Sequence, residues 1–312
     1  MKILITGGSS FTGYWFIKAL KEKGHSITAT FRGKPDQYTG IRKERLNQVA
    51  NWADIVWDTS FGDEKFVELL ENKYDVLCHH GAVVENYKSP DFDIAGALAA
   101  NTKACKTVIE KAKLNGIQRI VLTGSVFEAN EGAGSEPLVA FSPYGLSKTI
   151  TWETFRYWCW KLDQPLGKFI IPNPFGPYEE PRFCNYLMST WIKGETPEIK
   201  TPDYIRDNIH VSNLAIVYAN WVATKNFQLM EKLGPSGYIE SQGTFAKRFA
   251  AKMQSRLPLK CQVKEAKQTV FDEPIFRVNT TKVILPDNEW NEKAAWDDLA
   301  TYYEKTLLTT KK

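Results

Sequence analysis

No Cys-x-x-Cys pair occurs among the five cysteines, Cys78, Cys105, Cys159, Cys184 and Cys261, and their odd number leaves at least one thiol outside any disulfide scheme. A reducing, cytoplasmic setting is expected. No uninterrupted apolar stretch approaches the ~20 residues that a transmembrane helix requires, so no membrane partner is expected either. No secretion signal is expected, since Lys2-Ile3-Leu4-Ile5-Thr6 reads as a strand and not as a basic n-region, apolar h-region and small-residue cleavage site. The formal charge of +4 is spread along the chain instead of gathered in a stripe, which argues against nucleic acid as a partner and leaves phosphate-bearing small molecules open. Internal repeats and low-complexity tracts are absent as well.

What is present is an ordinary globular composition, 43% hydrophobic and 24% charged, over 312 residues. That length suffices for one large α/β domain with an added lobe. The first half alternates short apolar runs with longer helical patterns, as βαβ units of a parallel sheet do. Strands are predicted at 2–6, 26–31, 54–57, 75–78, 119–125 and 167–171, with helices such as 13–23 and 98–115 between them; Ala104, Val108, Ile109 and Ala112 fall at helical spacing. Beyond about Pro172 the alternation weakens and proline, aromatic and charged residues become frequent, the mark of a smaller and more irregular lobe. Segments 207–220 and 287–308 read as helical returns to the main body. The expected division is therefore a dinucleotide-binding domain at 1–171, rejoined by about 207–225 and by the helix at 287–308, and a discontinuous substrate lobe at 172–206 and 226–286. The tail at 309–312 is expected to fray.

Thr6-Gly7-Gly8-Ser9-Ser10-Phe11-Thr12-Gly13 stands where the first strand must turn into the first helix. Glycines there let the backbone approach a pyrophosphate, and the helix offers free N–H groups and its positive end. The plain alternative is an ordinary strand-to-helix turn. After the second strand the run is Thr30-Phe31-Arg32, without the acid that holds the ribose hydroxyls of NAD, so Arg32, with Arg42 or Lys43 nearby, points to NADP. A solvated surface charge is the bland reading of Arg32. Asp58 is a candidate for the adenine amino group, or a cap on the next helix.

Tyr144-Gly145-Leu146-Ser147-Lys148 opens a helical stretch and sets Tyr144 and Lys148 four apart on one face. A phenol is too weak an acid to serve near neutrality unaided, and an adjacent ammonium favours its ionised form. Lys148 would lower the proton affinity of Tyr144 while holding the nicotinamide ribose. Thr123-Gly124-Ser125 ends the fifth strand, where ligands of open α/β sheets bind; Ser125 would bond the reacting oxygen, with Thr123 as the alternative and backbone capping as the plain reading of both.

As a set these residues resemble the extended short-chain dehydrogenase/reductase family, the branch of NAD-dependent sugar-nucleotide epimerases and dehydratases. The likeness spans nearly the whole chain and adds four motifs. His79-His80-Gly81-Ala82 is similar to the family's His-x-Ala-Ala, and Asn101 opens a helix in the family's manner. Asn173-Pro174-Phe175-Gly176-Pro177, preceded by Pro172, resembles its substrate-side loop, and Arg206-Asp207-Asn208-Ile209-His210-Val211 resembles its Arg-Asp-Phe-Ile-His-Val segment. The resemblance implies a Rossmann doubly wound parallel sheet and a cofactor, NADP or NAD, held by Gly7, Ser9, Ser10, Phe11, Thr12, Gly13, Arg32, Asp58, His80, Gly81, Ala82, Asn101, Thr123, Tyr144, Lys148 and Pro172. It implies a nucleotide-sugar met by Ser125, Tyr144, Asn173 and Arg206; loop-closing hydrogen bonds and a surface ion pair are the bland readings of the last two. The paired histidines have no third ligand at metal spacing, so no metal is expected. A homodimer is expected, with Trp152, Trp158 and Trp160 suiting an interface or the core equally.

Departures from the family narrow the reaction. Ser10 stands where a second glycine is usual. Val126 and Phe127 replace the Asp-Glu of 4,6-dehydratases, leaving dehydration without its acid and base, and Glu128 is displaced. The expectation leans, through Arg32, to an NADPH-dependent keto-sugar reductase, with a nucleotide-sugar 4-epimerase retaining NAD close behind. A non-catalytic NADP-binding sensor is the reading from another class, disfavoured by the retained Tyr144 and Lys148.

Overall fold

The computed structural model describes residues 1–225 and 228–308. The predicted fraying tail, 309–312, lies outside them, as do the first two residues of the lobe segment predicted at 226–286. The chain divides into two compact units, the first made of Met1–Glu131, Pro137–Ile171 and Ala215–Gly234, the second of Gly132–Glu136, Pro172–Leu214 and everything from Pro235 onward.

Seven parallel strands form the sheet of the first unit: β1 (Lys2–Thr6), β2 (Ser26–Thr30), β3 (Asp54–Val56), β4 (Val76–His79), β5 (Arg119–Ser125), β6 (Leu166–Ile171) and β7 (Met230–Leu233). Among the described residues ten α-helices accompany them: α1 (Phe11–Glu22), α2 (Gly40–Val49), α3 (Glu64–Leu69), α4 (Ile94–Asn101), α5 (Cys105–Leu114), α6 (Pro143–Lys161), α7 (Phe183–Ile192), α8 (Val211–Val222), α9 (Gln242–Gln254) and α10 (Glu292–Tyr303). The spatial order β7-β6-β5-β4-β1-β2-β3 reverses direction between β1 and β4, with Ile3 paired to Ile27 on one side and to Val76 on the other. At such a switch point the loops leaving the carboxyl ends of neighbouring strands diverge and open a crevice. The doubly wound sheet is the predicted one and six of its strands agree with the predicted bounds to within a residue; β7 was not predicted, and it draws the chain up to Gly234 into the first unit although 226–286 was expected to belong to the substrate lobe.

Burial on both faces explains why the strands read as continuous apolar runs. Leu4, Leu77, Ile120, Leu122 and Leu166 pack one face against Val108 and Ile109 of α5 and Trp152 and Phe155 of α6. Trp152 is thus core, whereas Trp160 is 60% exposed.

Three expectations need correction. The helix expected at 98–115 is two helices: the Thr102 hydroxyl donates back to the Leu98 carbonyl at 2.7 Å, and Ala104 takes φ +48°, outside the helical region. Asn101 accordingly closes α4 and does not open a helix. The segment expected to be helical from Asp207 begins as a strand, Ile205–His210, because the buried Asp207 carboxylate accepts the backbone N–H groups of Gly237 at 2.7 Å and Asn279 at 3.2 Å and ties that strand into a second sheet. The C-terminal helix does not return to the first unit. Trp296, Leu299, Ala300 and Tyr303 of α10 complete the core of the second, with Phe175, Phe245 and Phe249, since a fully buried indole finds its aromatic partners there.

The second sheet runs in the order Tyr238–Ser241, Ile205–His210, Phe276–Val278, Ala133–Gly134, with Asn173–Phe175 also paired to Ile205–His210. All five cysteines are free and buried. Among the described residues no helix is long and apolar enough to cross a membrane.

Candidate active site

The turn between β1 and α1 is built by hydrogen bonds that its sequence dictates. Gly7 takes φ +79°, and Ser10 caps α1: its hydroxyl donates to the Gly7 carbonyl at 2.8 Å and accepts from the Gly13 N–H at 3.1 Å. A Cβ on Gly13 would lie 2.3 Å from the Gly7 oxygen, so the first turn of the helix rests directly on the preceding carbonyl. Ser10, placed where the family has a glycine, therefore supplies the cap that the tight turn needs. Ser9 and Thr12 stay half-exposed around it, while Phe11 is buried.

Two buried histidines connect this turn to the rest of the sheet edge. His79 stands 3.0 Å from the Asn101 carbonyl through Nε2 and 3.0 Å from the Thr6 hydroxyl through Nδ1. A carbonyl oxygen only accepts, so Nε2 carries the proton and Nδ1 accepts from Thr6, whose oxygen in turn accepts the Gly81 N–H at 2.7 Å. His80 bonds the Ser10 hydroxyl (2.9 Å) and Thr12 hydroxyl (3.2 Å) through Nε2, and the Thr123 hydroxyl (3.0 Å) through Nδ1. Burial, reinforced by the nearby Lys148 charge, pushes both rings down to about 3, and they remain neutral.

Thr123 belongs to β5, and its carbonyl accepts from Lys148 Nζ at 2.6 Å. One chain of contacts thus runs from the glycine turn through His80 and Thr123 to Lys148. Because the Thr123 hydroxyl is taken by His80, Ser125 is the hydroxyl left at the strand's end; it accepts the Phe127 N–H at 3.2 Å. Tyr144 and Lys148 lie in the first turns of α6, whose start is fixed by Pro143 and by the Ser142 hydroxyl accepting from Gly145 N–H at 3.0 Å. The Tyr144 ring is met edge-on by Tyr87 at 5.6 Å and Phe92 at 5.9 Å.

Lys148 is 5% exposed. Desolvation lowers its pKa to about 8, partly offset by the attraction of Glu128 and deepened by Lys168. Since the folded chain then releases the proton earlier than the unfolded one, stability owed to this residue rises with pH from about 8 toward the ordinary lysine value. Relative to Lys148→Met, the native chain is expected to gain roughly 2 kcal/mol between about pH 7 and about pH 10, measured by urea unfolding at each pH. A constant difference between the two proteins would contradict the assigned shift.

The other predicted residues are placed less centrally. Arg32 is half-exposed and paired with Glu85 at 3.1 Å. Asp58 is exposed at φ +50° and caps nothing; Asp63 takes the N-cap position of α3. The Asn101 amide oxygen accepts the Val83 N–H at 3.0 Å and pins the loop that carries Gly81 and Ala82. Pro172, Asn173 and Arg206 belong to the second unit. Asn173 is paired with Asn208 at the strand edge. Arg206 is no surface ion pair: it is 5% exposed, its guanidinium donates to the carbonyls of Ile205, Pro274 and Ile275 and to Glu273, and it stacks on Tyr204.

Sequence reasoning missed three features. Tyr87 and Phe92 carried no pattern. Arg277, buried beside Arg206 in strand register, lay in a stretch read only as irregular. Glu128 is not idle but fully buried, bonded to the Ser125 N–H at 2.7 Å and paired with Lys168. The signal for that pair was available, a lysine in the middle of an apolar strand, Leu-Gly-Lys-Phe-Ile-Ile.

The model of the NAD dependent epimerase/dehydratase family matches residues 3–232. The chain belongs to that family. Solved structures that share its fold include a UDP-glucose 4-epimerase from Thermotoga maritima with UDP-glucose (17% identity, TM-score 0.71, covering 98% of this chain and 100% of the other). A UDP-glucuronic acid 4-epimerase from Bacillus cereus with UDP-glucuronic acid and NAD is also similar (16%, TM-score 0.75, 98% and 99%). So is a dTDP-glucose 4,6-dehydratase from Streptomyces venezuelae with NAD and TYD bound (15%, TM-score 0.71, 98% and 98%). No curated protein matches the chain at a significant level of sequence similarity. Family membership makes this an enzyme of NAD-dependent chemistry, in agreement with the sequence.

Proposed function

We propose that this enzyme is a nucleotide-sugar 4-epimerase that retains NAD. The observation that carries the choice is the state of Glu128. The carboxylate nearest Ser125 along the chain is turned inward onto Lys168 and the Ser125 backbone, so the site offers a phenol and an ammonium but no acid poised for elimination. Bound NAD would supply the hydride acceptor. Tyr144 takes the proton of the ring hydroxyl, Lys148 favours the phenolate, and Ser125 bonds the same oxygen. Tyr144 gives the proton back to the same oxygen when the hydroxyl is re-formed with inverted configuration, the hydride being what bound NAD would exchange. Gly7, Gly13, Ser9, Phe11 and Thr12 are the residues assigned to the pyrophosphate.

The leaning toward NADPH and net reduction rests on Arg32, which is paired with Glu85. Glu85 already meets that guanidinium, and a 2′-phosphate would have to displace a carboxylate of its own sign. The nucleotide diphosphate is assigned to Asn173 and Arg277 of the second unit; Arg206, already held by Glu273 and three carbonyls, contributes its charge, which together with burial lowers the pKa of Arg277, a setting that favours an anion. A homodimer through α5 and α6 belongs to the same proposal, with Leu114, Tyr157 and Trp160 exposed on those helices.

Incubation of the purified protein and NAD with UDP-glucose, UDP-galactose and UDP-glucuronic acid, separated by anion-exchange chromatography, tests the reading. Interconversion at C4 without net change in NADH absorbance is the expected result. Net oxidation of NADPH by 4-keto sugars would replace it with the reductase, and bound NAD without turnover of any sugar would replace it with the sensor.

A further inference from the structure

We infer that Glu128 and Lys168 are positioning residues of this reaction, a buried pair that fixes the backbone of Ser125 and balances the charge of Lys148. The inference rests on the roles proposed above for Ser125, Tyr144 and Lys148. Its ground is a compact cluster under the end of β5. One carboxylate oxygen of Glu128 accepts the Ser125 N–H at 2.7 Å, and the other meets Lys168 Nζ. Lys168 also donates to Glu131 at 2.6 Å, and Lys232 of β7 donates to the same Glu131 oxygen at 2.7 Å. Glu128 is 0% and Lys168 1% exposed. Gly124 gives the cluster room: a Cβ there would stand 2.5 Å from Lys168 Cε and 3.1 Å from a Glu128 oxygen.

Burying three charges, those of Glu128, Glu131 and Lys168, with Lys232 exposed at the margin, is costly, and an apolar filling of the same volume is often neutral or stabilising, so stability alone is a weak reason for this arrangement. Its charge balance supplies a better one. Two carboxylates oppose two ammoniums, and the cluster is neutral in itself. Lys148 is left as a fifth group, held by the Thr123 carbonyl. The titratable groups that face it are Tyr144 on its own helix, His79 and His80 at the end of β4, Glu128 after β5 and Lys168 on β6. Both histidines are neutral, so the two members of the buried pair act on Lys148 with opposite sign, Glu128 favouring its charged form and Lys168 opposing it. Removing either one tips the balance in a predictable direction.

The test is a pH titration of the full chain carrying 13Cε-lysine, with the Lys148 resonance assigned by its loss in Lys148→Arg. Glu128→Gln is expected to move the Lys148 midpoint down by about one pH unit, Lys168→Met to move it up by a similar amount, and the double variant to restore it to within a few tenths. The alkaline limb of kcat for UDP-glucose with NAD should follow the same order. Glu128→Asp keeps the charge and withdraws the contact to Ser125; its midpoint should stay while kcat falls about tenfold, and it serves if a single variant fails to fold. Midpoints that move together or not at all, or a Glu128→Asp enzyme of native kcat, would overturn the inference. Absence of UDP-glucose turnover in the native protein would count against the proposed reaction, while opposite shifts would still establish the charge balance around Lys148.

Discussion

Tyr144→Phe is expected to lower kcat for nucleotide-sugar epimerisation by about 10³-fold, with little change in stability. The substitution deletes one oxygen and leaves the ring. Its packing against Tyr87 and Phe92 depends on ring edges and survives, and the helix start is set by Ser142 and Pro143, which are untouched. What disappears is the group that accepts the hydroxyl proton as the hydride leaves. Lys148 cannot substitute for it, since the ammonium that donates to the Thr123 carbonyl has no lone pair with which to accept a proton. Chromatographic assay of UDP-glucose conversion, beside a thermal melt of both proteins, separates the two effects. Turnover within tenfold of the native enzyme would exclude Tyr144 as the proton acceptor.

Gly13→Val is expected to abolish tight NAD binding, weakening it by about 10²-fold or more, and to lower stability by about 3 kcal/mol. The obstruction is backbone against backbone. The Gly7 carbonyl lies 2.3 Å from where the new Cβ must go, and it cannot swing away while it accepts both the Ser10 N–H at 3.1 Å and the Ser10 hydroxyl at 2.8 Å. His80 Cδ2, 2.9 Å from the same point, blocks the other side. Relief requires the turn to open, which breaks the Ser10–His80–Thr123 chain and removes the support beneath Lys148. Isothermal titration with NAD and a denaturant melt measure the two losses. Affinity within threefold of native would mean that the turn does not carry the cofactor.

The first unit was legible in the sequence because its signals are local. A five-residue strand with Ile3, Leu4 and Ile5 at its centre, a glycine turn and an amphipathic helix announce a βαβ unit without reference to anything distant, and β1 and β5 agree residue for residue with expectation. Tyr144 and Lys148 were legible for the same reason, being one helical turn apart. Contacts between remote segments were not. The bond from His80 to Ser10 spans seventy positions and the pairing of Lys168 with Glu128 forty, and no periodicity records either. Asp207 was misread because its side chain satisfies the backbone of two distant loops, so it occupies a buried strand with no alternation to show. The second unit depends on such contacts throughout. Its core is gathered from Phe175, Phe245 and Trp296, and nothing in the spacing of those residues foretells that they meet.

The edge strand β7 carries a lesson about synthesis. It pairs with β6 through Met230 opposite Leu166, yet the segment Pro172–Leu214, part of the other unit, is translated between them. While the chain emerges from the ribosome, β6 must therefore wait with one row of amides and carbonyls unpaired, the kind of open edge that recruits foreign strands. Lys232 arrives on that same late strand, so the Glu131 carboxylate lacks one of its two cations until the sheet is closed. Until β7 is in place, the free side of β6 is an open strand edge.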